Sequence, residues 1–315
     1  MPAPAPKQII SVSRRTDIPA FYSEWFMNRI RAGYCTVPNP YNPSQVSRVS
    51  LKPDDVRALV FWTRNPRPLM KYLPELDALG FKYYFLNTII GYPAAIDPSS
   101  PPIDTAVKTF KELSQLLGKE RIIWRYDPML LSNLTPVEWH IEQIQKLTGQ
   151  LRGFTDKVIF SFVEPYRKTC ARLQKETGTD FKLSPDAFNP AAYEPILKFL
   201  SEAAAKENIK VQSCSEEISW LKYGISNGKC IDDELIAHLA GQPFKFKKDP
   251  SQRQLCNCIQ SKDIGAPNTC MFGCRYCYAT VSMTAAGQNY REHDPSSPSL
   301  IGWHEKKENE KEDTL

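Results

Sequence analysis

From residue 9 to residue 214, short apolar, β-branched or aromatic runs alternate with longer amphipathic stretches. No other feature restricts the fold as much, because short buried strands joined by helical crossovers have to lie parallel in one sheet. Six strands are predicted: "IISVS" (9–13), "ALVFWT" (58–63), "KYYFLNTI" (82–89), "RIIWRY" (121–126), "KVIFSFV" (157–163) and "IKVQSC" (209–214). The 315 residues suffice for one large core or two modest ones, and no break in composition separates the six repeats. The expectation is an α/β fold, a TIM-like (β/α) barrel or partial barrel of about six parallel strands, although a doubly wound open sheet has the same sequence pattern.

The helices between the strands carry readable punctuation. Thr135, Pro136 and Glu138 have the spacing of a capping box, and Val137, Ile141, Ile144, Leu147 and Leu151 then repeat at helical spacing up to Gly153. Ile103, Val107, Phe110, Leu113 and Leu117 form a second stripe, and Asn189 with Pro190 opens a helix running to about Lys206. Residues 19–32 supply the first crossover, which ends at Gly33. The Pro-rich "TVPNPYNPSQVSRVSL" reads as a hairpin or loop inserted before the second strand. Three regions are expected: a βα-repeat barrel over 1–214, a cysteine-rich region packed on it over 215–304, and a charged tail over 305–315 that is disordered or a solvated helical end.

Polar groups follow successive strands. Arg14, Arg15 and Asp17 follow the first, Arg64 and Asn65 the second, Arg125 to Asp127 the fourth, Glu164 the fifth, and Ser215 with Glu216 the sixth. Such groups at strand C-termini are what a barrel needs at its active mouth, while any single one could equally be a helix cap or a surface ion pair. Arg14, Arg15, Asp17, Arg125 and Asp127 are the candidates for polar contacts at that mouth.

Seven of the nine cysteines come after residue 213. A chain of this size with no signal-type apolar core near Met1 favours metal ligation over disulfides, and the cytoplasm as compartment. No run of eighteen uncharged apolar residues suggests a membrane partner. Cys270, Cys274 and Cys277 have the order C-x3-C-x2-C, with no fourth cysteine just beyond, so three thiolates on a four-iron cube would leave one iron open. Cys214, Cys230, Cys256 and Cys258 are the number that a second cluster or a structural zinc requires. Two other groupings are compatible: Cys214 or Cys230 as a small buried hydrophobe, or Cys256, Cys258, Cys274 and Cys277 as a zinc ribbon-like site. Cys35 and Cys170 read as isolated buried residues. His140, His238, His293 and His304 form no metal motif, and there is no P-loop, no G-x-G-x-x-G after a strand and no G-x-S-x-G.

The three-cysteine run with Tyr276 at its aromatic position resembles the cluster loop of the radical S-adenosylmethionine superfamily, and "GCRYCYA" is most similar to its spore photoproduct lyase branch. "SVSRRTDIPAFY", "VFWTRNP", "WRYDP" and "QRQLCNCIQSKDIGAPNTCMFGCRYCYA" resemble a bacterial family, the domain of unknown function numbered eighteen-forty-eight, linked to a radical-type cluster. In the common radical enzymes the loop follows the first strand, whereas here six βα units precede it. A circular permutation reconciles the two orders if residues 258–265 supply the strand before the loop and "YATVSMTAAGQNY" the helix after it.

What the resemblance implies is an enzyme. A 4Fe-4S cluster on Cys270, Cys274 and Cys277, with Tyr276 beside it, would bind S-adenosylmethionine and cleave it reductively to start radical chemistry. A ferredoxin or flavodoxin would be the electron donor, and a second 4Fe-4S cluster or zinc would sit on Cys214, Cys230, Cys256 and Cys258. A DNA lesion, a modified nucleotide, a peptide and a small metabolite are all compatible substrates. A metal-stabilised nucleic-acid-binding module would explain the mild net charge of +5, and an electron-transfer protein would explain paired clusters.

Overall fold

A computed structural model describes residues 7–175, 181–216 and 218–305. The strands are β1 (Gln8–Val12), β2 (Tyr34–Asn39), β3 (Asn42–Ser50), β4 (Val56–Thr63), β5 (Tyr83–Thr88), β6 (Ile122–Met129), β7 (Lys157–Phe162), β8 (Lys210–Ser213), β9 (Ser226–Asn227) and β10 (Lys262–Asp263). The helices are α1 (Ile18–Phe21), α2 (Ser23–Ala32), α3 (Arg67–Met70), α4 (Leu73–Ala78), α5 (Ile103–Leu117), α6 (Val137–Leu151), α7 (Arg167–Lys175), α8 (Glu194–Lys206), α9 (Asp233–Ala240) and α10 (Met283–Glu292). All six predicted strands are present, and the inserted segment is the antiparallel hairpin β2–β3.

The remaining eight strands form one parallel sheet in the order β10-β1-β4-β5-β6-β7-β8-β9. β9 and β10 are two residues long, too short to show periodicity in the sequence. β10 pairs with β1, Ile10 opposite Lys262 and Ser11 opposite Asp263, so the strand expected within residues 258–265 lies at the sheet edge beside the first strand of the chain.

Alternation along the strands separates two cores. Val12, Phe61, Phe85, Trp124 and Phe160 pack on one face against Phe26, Leu69, Phe110, Leu147 and Leu200 of the helices. Each such fully buried side chain stabilises the fold by roughly 1.5–3 kcal/mol. Ala58, Val60, Tyr84, Ile123 and Ile159 face the other way and meet Ile231, Ile236, Ile259 and the cysteines at 214, 230, 256 and 258. Helices α1 to α6 and α8 all contribute to the first core, and α9 contributes to the second. A doubly wound sheet would carry crossover helices on both faces; this one carries them on one, and residues 230–259 pack against the other. Among the described residues no pairing joins β9 to β10, so the sheet keeps two edges.

Helix α2 shows how local sequence sets the geometry. Trp25, Phe26, Met27 and Ile30 bury one side, Glu24 sits in the first turn and Arg29 and Arg31 in the last, and Gly33 ends the helix at φ 75°. The indole of Trp25 donates to the Ser297 carbonyl at 3.0 Å and Thr36 N donates to Pro298 O at 2.8 Å, which ties residues 297–298 to α2 and the hairpin. The expected capping box before α6 does not form. The N-cap is Pro136, and the Thr135 hydroxyl is taken by the Leu130 carbonyl at 2.8 Å and by Ser132 Oγ at 2.7 Å. Among the described residues no helix is long and apolar enough to cross a membrane. Residues 306–315, most of the charged tail, lie outside the described residues.

Candidate cysteine-lined cavity

The C-terminal ends of the parallel strands open on one cavity of about 450 Å³. Its lining includes all seven cysteines of the last third, together with Arg14, Arg15, Asp17, Arg125, Asp127 and Tyr276. Arg64 and Glu164 join them, whereas Asn65, Ser215 and Glu216 are not part of the wall. The Glu216 carboxylate instead accepts from Phe162 N at 3.1 Å.

The three-cysteine loop is held here by the junction of β10 with β1. Asp263 accepts from the Ser11 and Ser13 hydroxyls at 2.6 and 2.7 Å, from Arg14 N at 2.8 Å and from Gly265 N at 3.0 Å. Gly265 lies so close to β1 that a Cβ on it would stand 2.0 Å from Ser13 Oγ. Asn268, in the left-handed region at φ 54°, closes the base of the loop. Its side-chain oxygen accepts from Val281 N at 2.8 Å and Ser282 N at 3.2 Å, while its own N–H donates to Ala279 O at 3.0 Å. Beyond the loop, the Ser282 hydroxyl accepts from Ala285 N and starts α10, the helix expected over residues 278–290.

Two arginines fasten the loop, one from outside it and one from within it. Arg172 of α7 donates to the carbonyls of Arg275 and Thr280 at 2.6 Å each and also to that of Cys277. Arg275 donates from its backbone and guanidinium to Ile96 O and Ala95 O at 3.0 and 2.7 Å. Tyr276 is anchored as well: its hydroxyl donates to Asp97 at 2.9 Å and accepts from Arg64, whose guanidinium pairs with Asp97 at 2.8 Å. Arg172 and Asp97 carried no signal in the sequence, because neither sits in a motif or just past a predicted strand.

Electrostatics divides the site. Burial works against the charge of Arg64, yet the Asp97 carboxylate and the thiols of Cys274 and Cys270 hold its pKa well above the usual range. The Asp17 carboxylate accepts from Thr63 Oγ1 at 2.7 Å, Arg64 N at 2.6 Å and Ala20 N at 3.0 Å, but full burial still pushes it up to about 7. Its oxygens are thus spent on the turn after β1 and the end of β4. Arg125 pairs with Asp127, which also accepts from the Ser161 hydroxyl. Arg14 has a loose pair with Asp249 at 3.7 Å and lies 5.3 Å over the Trp62 ring. Arg14 Nη2 and Arg125 Nε are buried without a hydrogen-bond partner.

The thiols fall into two sets. Cys270, Cys274 and Cys277 share the loop, and burial pushes Cys270 up to about 12 and Cys274 well above the ordinary thiol range. Cys214, Cys230, Cys256 and Cys258 contact one another in the second core. Within that set the Cys258 sulfur is held well below the usual thiol range, because the Cys230 and Cys256 thiols donate to it and Arg14 lies near. As they stand, among the described residues, no three Cys, His, Asp or Glu side chains are arranged to hold a metal ion. Cys35 is buried apart from both sets, and His140 is enclosed between Tyr126 and Leu130.

A family model described as Domain of unknown function (DUF1848) matches residues 9–279. The chain belongs to that family. The DUF1848 match runs from β1 through the three-cysteine loop, so it takes in both edges of the sheet and all seven cavity cysteines. No curated protein matches. Among solved structures, a Caenorhabditis elegans protein described as the carbonyl reductase Sniffer is 12% identical, over 66% of this chain and 84% of that one, with a TM-score of 0.26. A short-chain type dehydrogenase/reductase from Mycobacterium marinum is 10% identical over 66% and 73%, TM-score 0.23. A D-allulose 3-epimerase from Methylomonas sp. is 12% identical over 76% and 61%, TM-score 0.24.

Proposed function

We propose that this DUF1848 member is a radical S-adenosylmethionine-type iron-sulfur enzyme, with Cys270, Cys274 and Cys277 as ligands of a 4Fe-4S cluster. The observation that carries the reading is the position of the C-x3-C-x2-C loop. It follows a strand of the parallel sheet directly and lines the cavity at the strand C-termini. In that reading β10 and α10 stand for the first strand and helix of the usual order, and the sheet is a circularly permuted partial barrel.

The residues present fit such a group. Three thiols on one loop leave a coordination position free for a non-protein ligand, and the cavity beside them has room for one. When bound and reduced, the cluster supplies the electron that cleaves S-adenosylmethionine, and a ferredoxin or flavodoxin is the class of donor required. The chain's part is to bind, shield and orient. The burial-raised thiols of Cys270 and Cys274 have to release protons on ligation, and the cation of Arg64 beside them favours the thiolate form. Trp62, Phe162, Val163 and Phe272 line the cavity and exclude water. Arg14 and Arg125 present buried, unpartnered N–H groups that suit an acidic group of the nucleotide or substrate, with Arg15 and Asp127 as further polar contacts. Tyr276, fixed by Asp97 and Arg64, keeps the loop in register with β4.

Anaerobic incubation of the iron-loaded chain with S-adenosylmethionine and dithionite tests the reading. Deoxyadenosine is expected from the wild type and not from Cys274→Ala, with an unchanged far-UV spectrum. A Cys274→Ala chain that still produces deoxyadenosine overturns the assignment. Bound iron without any cleavage leaves an electron-transfer or metal-stabilised binding role.

A further inference from the structure

Cys214, Cys230, Cys256 and Cys258 come from both sides of the gap between the sheet's two edges. Cys214 follows β8, Cys230 follows β9, and Cys256 with Cys258 lies on the stretch leading to β10 at the opposite edge. Their sulfurs form a chain of contacts. Cys214 Sγ is 3.6 Å from Cys230 Sγ, the Cys230 thiol also meets Cys258, and Cys258 meets Cys256. The backbone N–H groups of Cys230 and Ile231 both donate to Cys258 Sγ at 3.3 Å, as donors do when they stabilise a thiolate. All four cysteines are buried, among Val60, Ile231, Ile236 and Ile259. Four sulfur ligands gathered in one buried place are the donor set of a thiophilic metal ion.

The sulfur spacing discriminates between kinds of metal centre. A tetrahedral ion with thiolates at about 2.3 Å separates its sulfurs by about 3.8 Å, close to the contact between Cys214 and Cys230. A four-iron cube binds each cysteine to a different iron and spreads the sulfurs much farther apart. The geometry points to a mononuclear tetrathiolate site formed by Cys214, Cys230, Cys256 and Cys258, taking Zn²⁺ or a single iron ion and clasping the open side of the sheet. Among the described residues no three ligands yet surround an ion position, so metal binding would draw the four side chains together. The clasp does not depend on the cluster proposed for the other three cysteines.

A chain carrying Cys270→Ser, Cys274→Ser and Cys277→Ser isolates this site from any cluster on the loop. Zinc, iron and acid-labile sulfide are measured on the anaerobically purified protein. About one zinc or iron per chain with no sulfide is the expected result, lost at least tenfold when Cys256→Ser and Cys258→Ser are added. That loss should come with faster protease cleavage within residues 229–261. About four irons with matching sulfide in the triple variant overturn the inference in favour of a cube, and so does a folded chain without metal. If the triple variant does not fold, the wild-type chain and the Cys256→Ser/Cys258→Ser chain are loaded with Co²⁺ side by side: tetrahedral Co²⁺–thiolate bands lost in the double variant support the site, and bands equal in both chains, or absent from both, overturn it.

Discussion

Arg172 donates a hydrogen bond to the carbonyl oxygen of Cys277, 105 residues further along the chain, and shares the same guanidinium with the carbonyls of Arg275 and Thr280. One side chain thereby fixes three carbonyls on the outgoing arm of the cysteine loop. Arg172→Ala should loosen that arm by roughly 2–3 kcal/mol, the scale of hydrogen bonds from a charged donor. Amide exchange at residues 275–280 should accelerate and loop-bound iron should fall, while the far-UV spectrum stays unchanged. Exchange and iron content equal to wild type would show that the arm holds itself.

The contact of Gly265 with Ser13 leaves no room for a methyl group. Gly265→Ala forces β10 away from β1 and should cost about 1–3 kcal/mol, read as a lower denaturation midpoint. Ser13→Gly removes the opposing atoms, so the double variant should be less destabilised than the two single effects added together. Strict additivity would mean that the two residues do not meet.

Asp97 keeps a carboxylate that is 1% exposed, and Arg64 is its cation. Arg64→Met leaves that charge buried and unpaired, at a cost of about 3–5 kcal/mol. Adding Asp97→Asn should return most of the loss. A single Arg64→Met variant as stable as the wild type would argue that the Tyr276 hydroxyl alone satisfies the carboxylate.

His140 is fully enclosed. Its Nδ1 accepts from the Tyr126 hydroxyl at 2.8 Å and its Nε2–H donates to Leu130 O at 3.1 Å, so it sits in the neutral form, and burial lowers its pKa to about 4. The unfolded chain takes up this proton near pH 6.5. Stability is therefore complete above that value and declines as pH falls toward 4, by on the order of 3 kcal/mol over the whole window. His140→Asn should remove this slope whatever it does to the baseline. The check is the difference in urea midpoint between pH 7 and pH 5 for the two chains.

Strands β1 and β4 to β8 were legible because apolar β-branched and aromatic runs have no other place to go than a buried sheet, and the β2–β3 hairpin showed only as a Pro-rich insertion. β9 was not, at two residues, and β10 was reached only because the resemblance called for a strand before the three-cysteine loop. Thr135 misled, since capping spacing is a local pattern and its hydroxyl found a better acceptor at Leu130. Cys270, Cys274 and Cys277 announce themselves through spacing, Arg14 through its place after β1 and Arg125 through a charge inside a mostly apolar strand, β6. Arg172 is silent in the sequence because what it binds is backbone, and carbonyl oxygens carry no residue identity.

β1 pairs with β4 on one side and with β10 on the other, and about 250 residues of chain separate β1 from β10. During synthesis β1 therefore waits with one edge bare until residue 263 has left the ribosome, and only then does the wall bearing Cys270, Cys274 and Cys277 close on it. A premature stop between residues 228 and 261 yields a chain with most of its βα scaffold but without the three-cysteine wall, exposing the bare edge of β1 to its neighbours. Any group that those three thiols hold would consequently be loaded only after residue 277 has emerged.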